Sequence, residues 1–196
     1  NCCLFDVANV LKGGFEMGNV WYNEPKSLDT AFDVMGDIVL STAAQQYGGF
    51  TVPEVDKILA PYAQKSYDNY VREFLKYADP SWEGREEKAV EYAMDKVRRE
   101  CDQGWQGIEY KLNTVGSSRG DYPFVTVTLG LGTEMFEKMI SISLLEVHKG
   151  GQGKKGHKKP VLFPKIVFLY DKAIHGPGCV CEDVFEAGVD CSAKTM

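Results

Sequence analysis

Histidine is scarce in this sequence, and none of it stands inside a strongly apolar segment. His148, His157 and His175 are the only three, and each falls in or beside a glycine-bearing loop. No Ser-His-Asp arrangement can be composed from them, and no core segment carries a general base titrating near neutrality. Long apolar runs are missing as well. None approaches the roughly 18 residues of a membrane-spanning helix, so no membrane partner is expected. Positive charge is in deficit: 22 Lys and Arg face 28 Asp and Glu, for a net charge of -6. That balance argues against a nucleic-acid partner, which calls for a basic binding face. No initiator methionine and no secretory leader are visible, as Asn1 opens directly on strand-like sequence. Both ends read as cut from inside a longer chain, and a cytoplasmic location is expected. No internal repeat is visible.

What the chain does have is cysteine. Cys2, Cys3, Cys101, Cys179, Cys181 and Cys191 are its six. Without a secretory context these are expected to be free thiols for chemistry, metal or packing, not a disulfide framework. With histidine set aside, they are the nucleophile or redox groups placed on core elements.

The 196 residues suffice for one well-buried core or two small ones. Cys2 to Val7 reads as a short buried strand, and glycine pairs then punctuate a loop before the short extended piece Val20-Trp-Tyr22. Residues 28–47 form an apolar helix with Leu28, Phe32, Met35, Val39 and Ala43 at helical spacing. Ile38, Leu40 and Ala44 widen the stripe, so this helix is buried on two sides or packs against a second copy of itself. Thr51-Val-Pro-Glu54 has the pattern of a capping box, and Pro61 should kink or restart the helix that follows. The longest helical pattern runs from Glu83 to about Leu112 and holds Cys101 in its apolar stripe, where the simpler reading is a packed core thiol. Tyr122 to Leu129 is a clear strand, Thr133 and Glu134 open a helix to about His148, and Pro164 to Tyr170 is another strong strand. Strands separated by long helices predict an α/β domain with parallel pairing.

Two short patterns carry less than they promise. Gly151-Gln-Gly-Lys-Lys-Gly156 matches G-x-G-x-x-G, but it follows a helix and precedes a strand, the reverse of a dinucleotide-binding turn. His157 stands where a P-loop needs lysine, so the segment reads as a solvated basic loop able to meet phosphate only as an electrostatic patch. His175, Cys179, Cys181 and Cys191 are all permissible zinc ligands, yet C-x-C is an unusual spacing and no metal is assigned to them.

A series of ordered motifs resembles the anaerobic, glycyl-radical (class III) ribonucleoside-triphosphate reductases nearly end to end. Gly14-Phe15 and Met17-Gly18-Asn19 match G-F-x-M-G-N, and Pro25-Lys26-Ser27 matches P-K-S. Val55-Asp56-Lys57 and Leu59-Ala60-Pro61-Tyr62 resemble V-D-K-x-L-A-P-Y. Glu109-Tyr110, Asn113-Thr114, Pro123-Phe-Val-Thr126, Gly130-Leu-Gly-Thr133 and Phe163-Pro-Lys165 follow in register, and Cys191-Ser-Ala-Lys-Thr-Met196 resembles C-A-S-K-R-M.

The resemblance implies a ten-stranded α/β barrel, of which residues 1–196 would be a single partial domain: the first half-barrel ending in the finger loop. An N-terminal ATP-cone and a C-terminal glycyl-radical and zinc-binding region would lie outside it. Cys191 matches the finger-loop cysteine that becomes a thiyl radical, and Cys2 the strand-borne hydrogen donor facing it across the substrate. Lys26, with Asn23 and Glu24 nearby, matches the effector site for deoxynucleotides or ATP, beside helices that build a homodimer. Ser117, Ser118, Arg119 and Gly120 match the loop that reports effector identity to the substrate base, although Arg119 and Asp121 depart from the usual S-N-G-Q-T. The implied reaction is reduction of ribonucleoside triphosphates, with formate as reductant and a radical-SAM activating enzyme as partner, the isolated segment being inactive. Another glycyl-radical enzyme on the same barrel, and a non-catalytic dimerisation or nucleotide-binding module, are the alternatives.

Overall fold

The computed structural model describes residues 3–46, 48–114, 116 and 122–195. The elements in chain order are β1 (Cys3–Leu4), α1 (Val7–Gly13), β2 (Phe15–Met17), β3 (Val20–Tyr22), α2 (Leu28–Ala43), β4 (Phe50–Val52), α3 (Val55–Tyr77), α4 (Arg85–Thr114), β5 (Val125–Leu129), α5 (Met135–Gly150), β6 (Lys165–Phe168), α6 (Lys172–His175) and α7 (Glu182–Thr195). Strands β1, β4, β5 and β6 form one sheet in that order, every neighbouring pair parallel. At least one helix connects each successive pair, as parallel strands require. The α/β expectation is met by an open four-stranded sheet; β2 and β3 pair separately as an antiparallel hairpin.

Register explains the two unlike faces of the sheet. Phe50, Val52, Val125, Val127 and Leu129 alternate along β4 and β5 and are buried under the helices in one core cluster. The opposite row runs Leu4–Thr51–Thr126–Lys165 across all four strands, with Thr128 beside Val167. Leu4 is 77% exposed and Val167 45%. Parallel sheets are ordinarily covered on both faces, so this bare face is the open side of the structure.

Helix α2 is buried through most of its circumference, by Leu28, Ala31, Phe32, Val34, Met35, Gly36, Ile38 and Val39. Its wide apolar stripe is therefore absorbed within the chain, chiefly against α4. Phe32 meets Trp105 edge-on at 4.9 Å, and the Trp105 indole N–H donates to the Ile140 carbonyl at 3.2 Å, tying α4 to α5. Gly104 makes this possible, because a Cβ there would stand 2.1 Å from the Phe32 ring. Gly104→Ala gains helix propensity, about 1 kcal/mol. Forcing a methyl against the buried Phe32 ring costs about 1–3 kcal/mol, so the urea midpoint is expected to fall. An unchanged or raised midpoint would show that Phe32 can move aside.

Several local expectations are corrected. The capping-box reading of Thr51 fails because Thr51 pairs with Thr126 inside β4. Helix α3 starts instead after Glu54, which takes a left-handed φ of +47° with its N–H donated to the Thr128 hydroxyl at 2.8 Å. Pro61 does not break α3. Pro61 and Lys57, whose carbonyl it frees, both face solvent, while Leu59, Tyr62 and Ala63 hold the helix to the core. A seven-residue helix, α1, follows β1, capped by the Asp6 carboxylate. The tail expected as a finger loop is helix α7.

Candidate functional site

The tail folds as a helix because Val184, Ala187 and Cys191 recur on one side of it, against the core. Glu182 and Asp183 sit in its first turn and Lys194 in its last, each complementing the helix dipole. Gly188 lets the helix press on Phe168, whose ring would lie 3.0 Å from a Cβ at that position. Two lysines of α5 reach across to α7: Lys149 pairs with Asp190 at 2.9 Å, and Lys138 with Asp183 at 2.9 Å. Cys191 is 4% exposed. Burial pushes its thiol above the ordinary range, keeping it an S–H group at neutral pH. It lies in the helical layer, on the covered side of the sheet. Cys2 falls outside the described residues, as do Ser117, Ser118, Arg119 and Gly120 of the substrate loop.

The remaining thiols differ in access. Cys101 is fully enclosed in α4, and burial pushes its thiol up to about 12. Cys181 is buried beside the Gly132 carbonyl, 3.3 Å away, while Cys179 is only half-buried. Thiolate is the reactive form. Iodoacetamide at about pH 8 should therefore label Cys179 in the native protein and reach Cys101 and Cys191 only after denaturation. Prompt native labelling of Cys101, read by peptide mass mapping, would be incompatible with this packing. Among the described residues no three His, Cys, Asp or Glu side chains converge as a metal site.

The segment before α2 brings the effector-site residues together on the surface. Asn23, Glu24 and Lys26 are exposed around the buried Pro25. Glu24 pairs with Lys65 of α3 at 2.5 Å, and the same ammonium donates to the Pro25 carbonyl at 3.2 Å. Asn69 of α3 donates to the Lys26 carbonyl at 3.4 Å. Lys65 is thus a second cation at this position, unassigned in the sequence reading. Beyond it, a cavity of about 360 Å³ opens between α2 and α4, with Asp29 and Asp33 on one wall and Lys96, Arg99 and Lys111 on the other.

Three buried polar groups, named in the sequence only as motif members or a permissible ligand, hold the strand ends. The Asp56 carboxylate accepts from Gly130 N–H and Gly132 N–H, both at 3.0 Å, and from the Ser141 hydroxyl at 3.3 Å. His175, 2% exposed, accepts the Asp171 N–H at Nδ1 (2.9 Å) and donates from Nε2 to the Gly130 carbonyl (2.7 Å), which fixes its tautomer. The Glu109 carboxylate, fully enclosed, meets His148 Nδ1 at 2.9 Å and takes a bond from the Gln152 amide. One turn further along α4, Asn113 accepts from Leu162 and Phe163 N–H and donates to the Phe163 carbonyl, fastening the entry to β6.

These features define a parallel α/β chain with its helices on one face of the sheet and its other face open. The family model for anaerobic ribonucleoside-triphosphate reductase matches residues 1–196, and the chain belongs to that family. It is similar to the anaerobic ribonucleoside-triphosphate reductase of Haemophilus influenzae, 36% identical across the whole chain and 27% of that relative. The enzymes of that name from Enterobacteria phage T4 and Escherichia coli K12 are each 34% identical across the whole chain, which covers 31% and 26% of them. The chain thus spans under a third of the length of these curated relatives. Among the described residues no helix is long and apolar enough to cross a membrane.

Proposed function

We propose that this chain is the first half of the catalytic barrel of an enzyme that reduces ribonucleoside triphosphates to 2′-deoxyribonucleoside triphosphates by thiyl-radical chemistry. Its membership of the reductase family over all its residues carries the reading. In that reaction a thiyl radical at Cys191 removes the ribose 3′ hydrogen. The 2′-hydroxyl then leaves as water, and the Cys2 thiol returns hydrogen to C2′. Formate supplies the two electrons and leaves as carbon dioxide. A glycyl radical on a later segment, raised by a radical-SAM activating enzyme, supplies the oxidising equivalent. The raised thiol of Cys191 supports its part, since hydrogen-atom transfer needs S–H and not thiolate. The bare sheet face supports the barrel reading: its Leu4–Thr51–Thr126–Lys165 row is where the remaining strands and the finger would enclose substrate.

Effector binding belongs to the segment Asn23, Glu24 and Lys26, with dNTP or ATP as ligand and Lys65 as an added phosphate partner. The homodimer forms along the neighbouring helices, and Ser117, Ser118, Arg119 and Gly120 relay effector identity to the substrate base. The test is anaerobic CTP or ATP reduction by the activated full-length protein, alongside titration with deoxynucleoside triphosphates. Saturable deoxynucleotide binding and formation of dCTP or dATP are expected. The absence of both binding and reduction would end the reading in favour of another glycyl-radical enzyme or a binding module.

A further inference from the structure

The basic segment between α5 and β6 is built more firmly than its glycine- and lysine-rich sequence implies. Gln152 and Lys159 pair across it through two backbone hydrogen bonds of 2.9 and 2.8 Å. His157 N–H donates to the Lys154 carbonyl at 2.8 Å to close the tip. Gly153 and Gly156 take φ values of +135° and +80°, conformations glycine reaches without a Cβ penalty. Below the tip, the Gln152 side chain is fixed to the enclosed Glu109, which also holds His148.

This frame presents Lys154, Lys155, His157, Lys158 and Lys159 to solvent. Among the described residues no carboxylate pairs with any of these four lysines, whereas Lys57, Lys65, Lys88, Lys111, Lys138 and Lys149 each hold one. The chain as a whole carries a net charge of -6, so the surface away from the hairpin is more acidic still. The hairpin leads into β6 and therefore stands at the end of the sheet where every parallel strand begins. That is the end at which β1 starts, at Cys3.

We propose that this hairpin docks the polyphosphate of a nucleotide. Charge distribution selects the class of anion. A nucleic acid would carry its phosphates off the hairpin onto acidic surface, where they are repelled. A triphosphate concentrates its charge within about one Debye length, ~8 Å at physiological salt, and meets only the lysines. The identity of the nucleotide rests on the reductase reading: a ribonucleoside triphosphate as substrate or a deoxynucleoside triphosphate as effector.

The test compares full-length wild-type protein with two fourfold variants at Lys154, Lys155, Lys158 and Lys159, one all Lys→Gln and one all Lys→Arg. Calorimetry reads the binding of inorganic tripolyphosphate, CTP, dATP and a short single-stranded oligonucleotide. The wild type is expected to bind tripolyphosphate with an affinity that falls as salt rises. The glutamine variant should bind it about tenfold or more weakly and the arginine variant as well as wild type. A loss confined to CTP assigns the polyphosphate to the substrate, and one confined to dATP to the effector. Equal tripolyphosphate binding by the wild type and the glutamine variant would overturn the proposal. So would an oligonucleotide that displaces tripolyphosphate and binds the hairpin more tightly. If tripolyphosphate binding follows the lysines while the wild type reduces no nucleotide, the reductase reading fails and the anion site stands.

Discussion

Alanine at Cys191 is expected to cut anaerobic nucleotide reduction by the activated full-length protein on the order of a thousandfold or more. On the proposed mechanism the radical step has no other entry: alanine offers no S–H to oxidise, and no solvent group can abstract a ribose 3′ hydrogen in its place. Deoxynucleotide binding should survive, because Cys191 contributes only the end of a helical face that Val184 and Ala187 also form. Cys2→Ala should also abolish reduction, but by removing the hydrogen returned to C2′. In that variant loss of the nucleoside base from a stalled sugar radical would replace deoxynucleotide formation. The two variants are thus distinguishable by product as well as rate. Full activity in either would sink the role assigned to that cysteine.

The helical tail gives this prediction a structural side. Cys191 sits on α7 against α5, with Asp190 and Asp183 latched by Lys149 and Lys138. The finger loop expected from the family motif would instead carry this cysteine towards the bare face of the sheet. The apolar repeat Val184, Ala187, Cys191 favours a helix whenever an apolar surface is available, and α5 provides one. The two lysine pairs of α5 add little, since their carboxylates, Asp183 and Asp190, are exposed and such pairs contribute about 0–1 kcal/mol. The burial of Val184 and Cys191 therefore decides where the tail lies.

How much of this was legible depended on whether a signal was local. The strands at 125–129 and 165–168 were plain, because alternating or continuous apolar residues bounded by glycine and proline survive any context. Strand β4 was not, because Phe50–Val52 is three residues long and its flanks imitate a helix cap. Only pairing with β5 reveals it. Of the kink or restart expected at Pro61, the restart does not occur, because proline's cost depends on exposure, which the sequence does not state. Glu109 was more readable than it was read: Ala93, Val97, Cys101 and Trp105 recur every four residues, and Glu109 is the next member of that buried row. An acidic residue on an apolar stripe must find partners, here His148 and Gln152. Their identity follows from the packing of α5 on α4 and from no spacing in the chain. The lysine hairpin was visible as composition, whereas its closure by Gln152 and Lys159 was not.

Asp56→Ala is expected to be the most damaging substitution for the fold. Asp56 occupies the first turn of α3, where the helix dipole favours a carboxylate. One of its oxygens accepts from Gly130 N–H, Gly132 N–H and the Ser141 hydroxyl, so it closes the turn between β5 and α5. Among the described residues its Oδ1 finds no hydrogen-bond partner. Alanine would leave two buried amides and a hydroxyl without acceptors. At about 1–3 kcal/mol for each buried unsatisfied group, partly relieved by entering water, the loss should reach about 3–5 kcal/mol. That is a large share of the roughly 5–15 kcal/mol typical of a domain. Asp56→Asn keeps one carbonyl oxygen for the glycine amides and should cost less, about 1–2 kcal/mol. The order alanine worse than asparagine, read from urea midpoints, separates lost acceptors from lost charge. Amide exchange adds a local reading: Gly130 and Gly132 should lose protection first, and with them the Gly130 carbonyl that His175 grips at 2.7 Å. Equal midpoints for wild type and Asp56→Ala would mean that water, not the carboxylate, satisfies this turn.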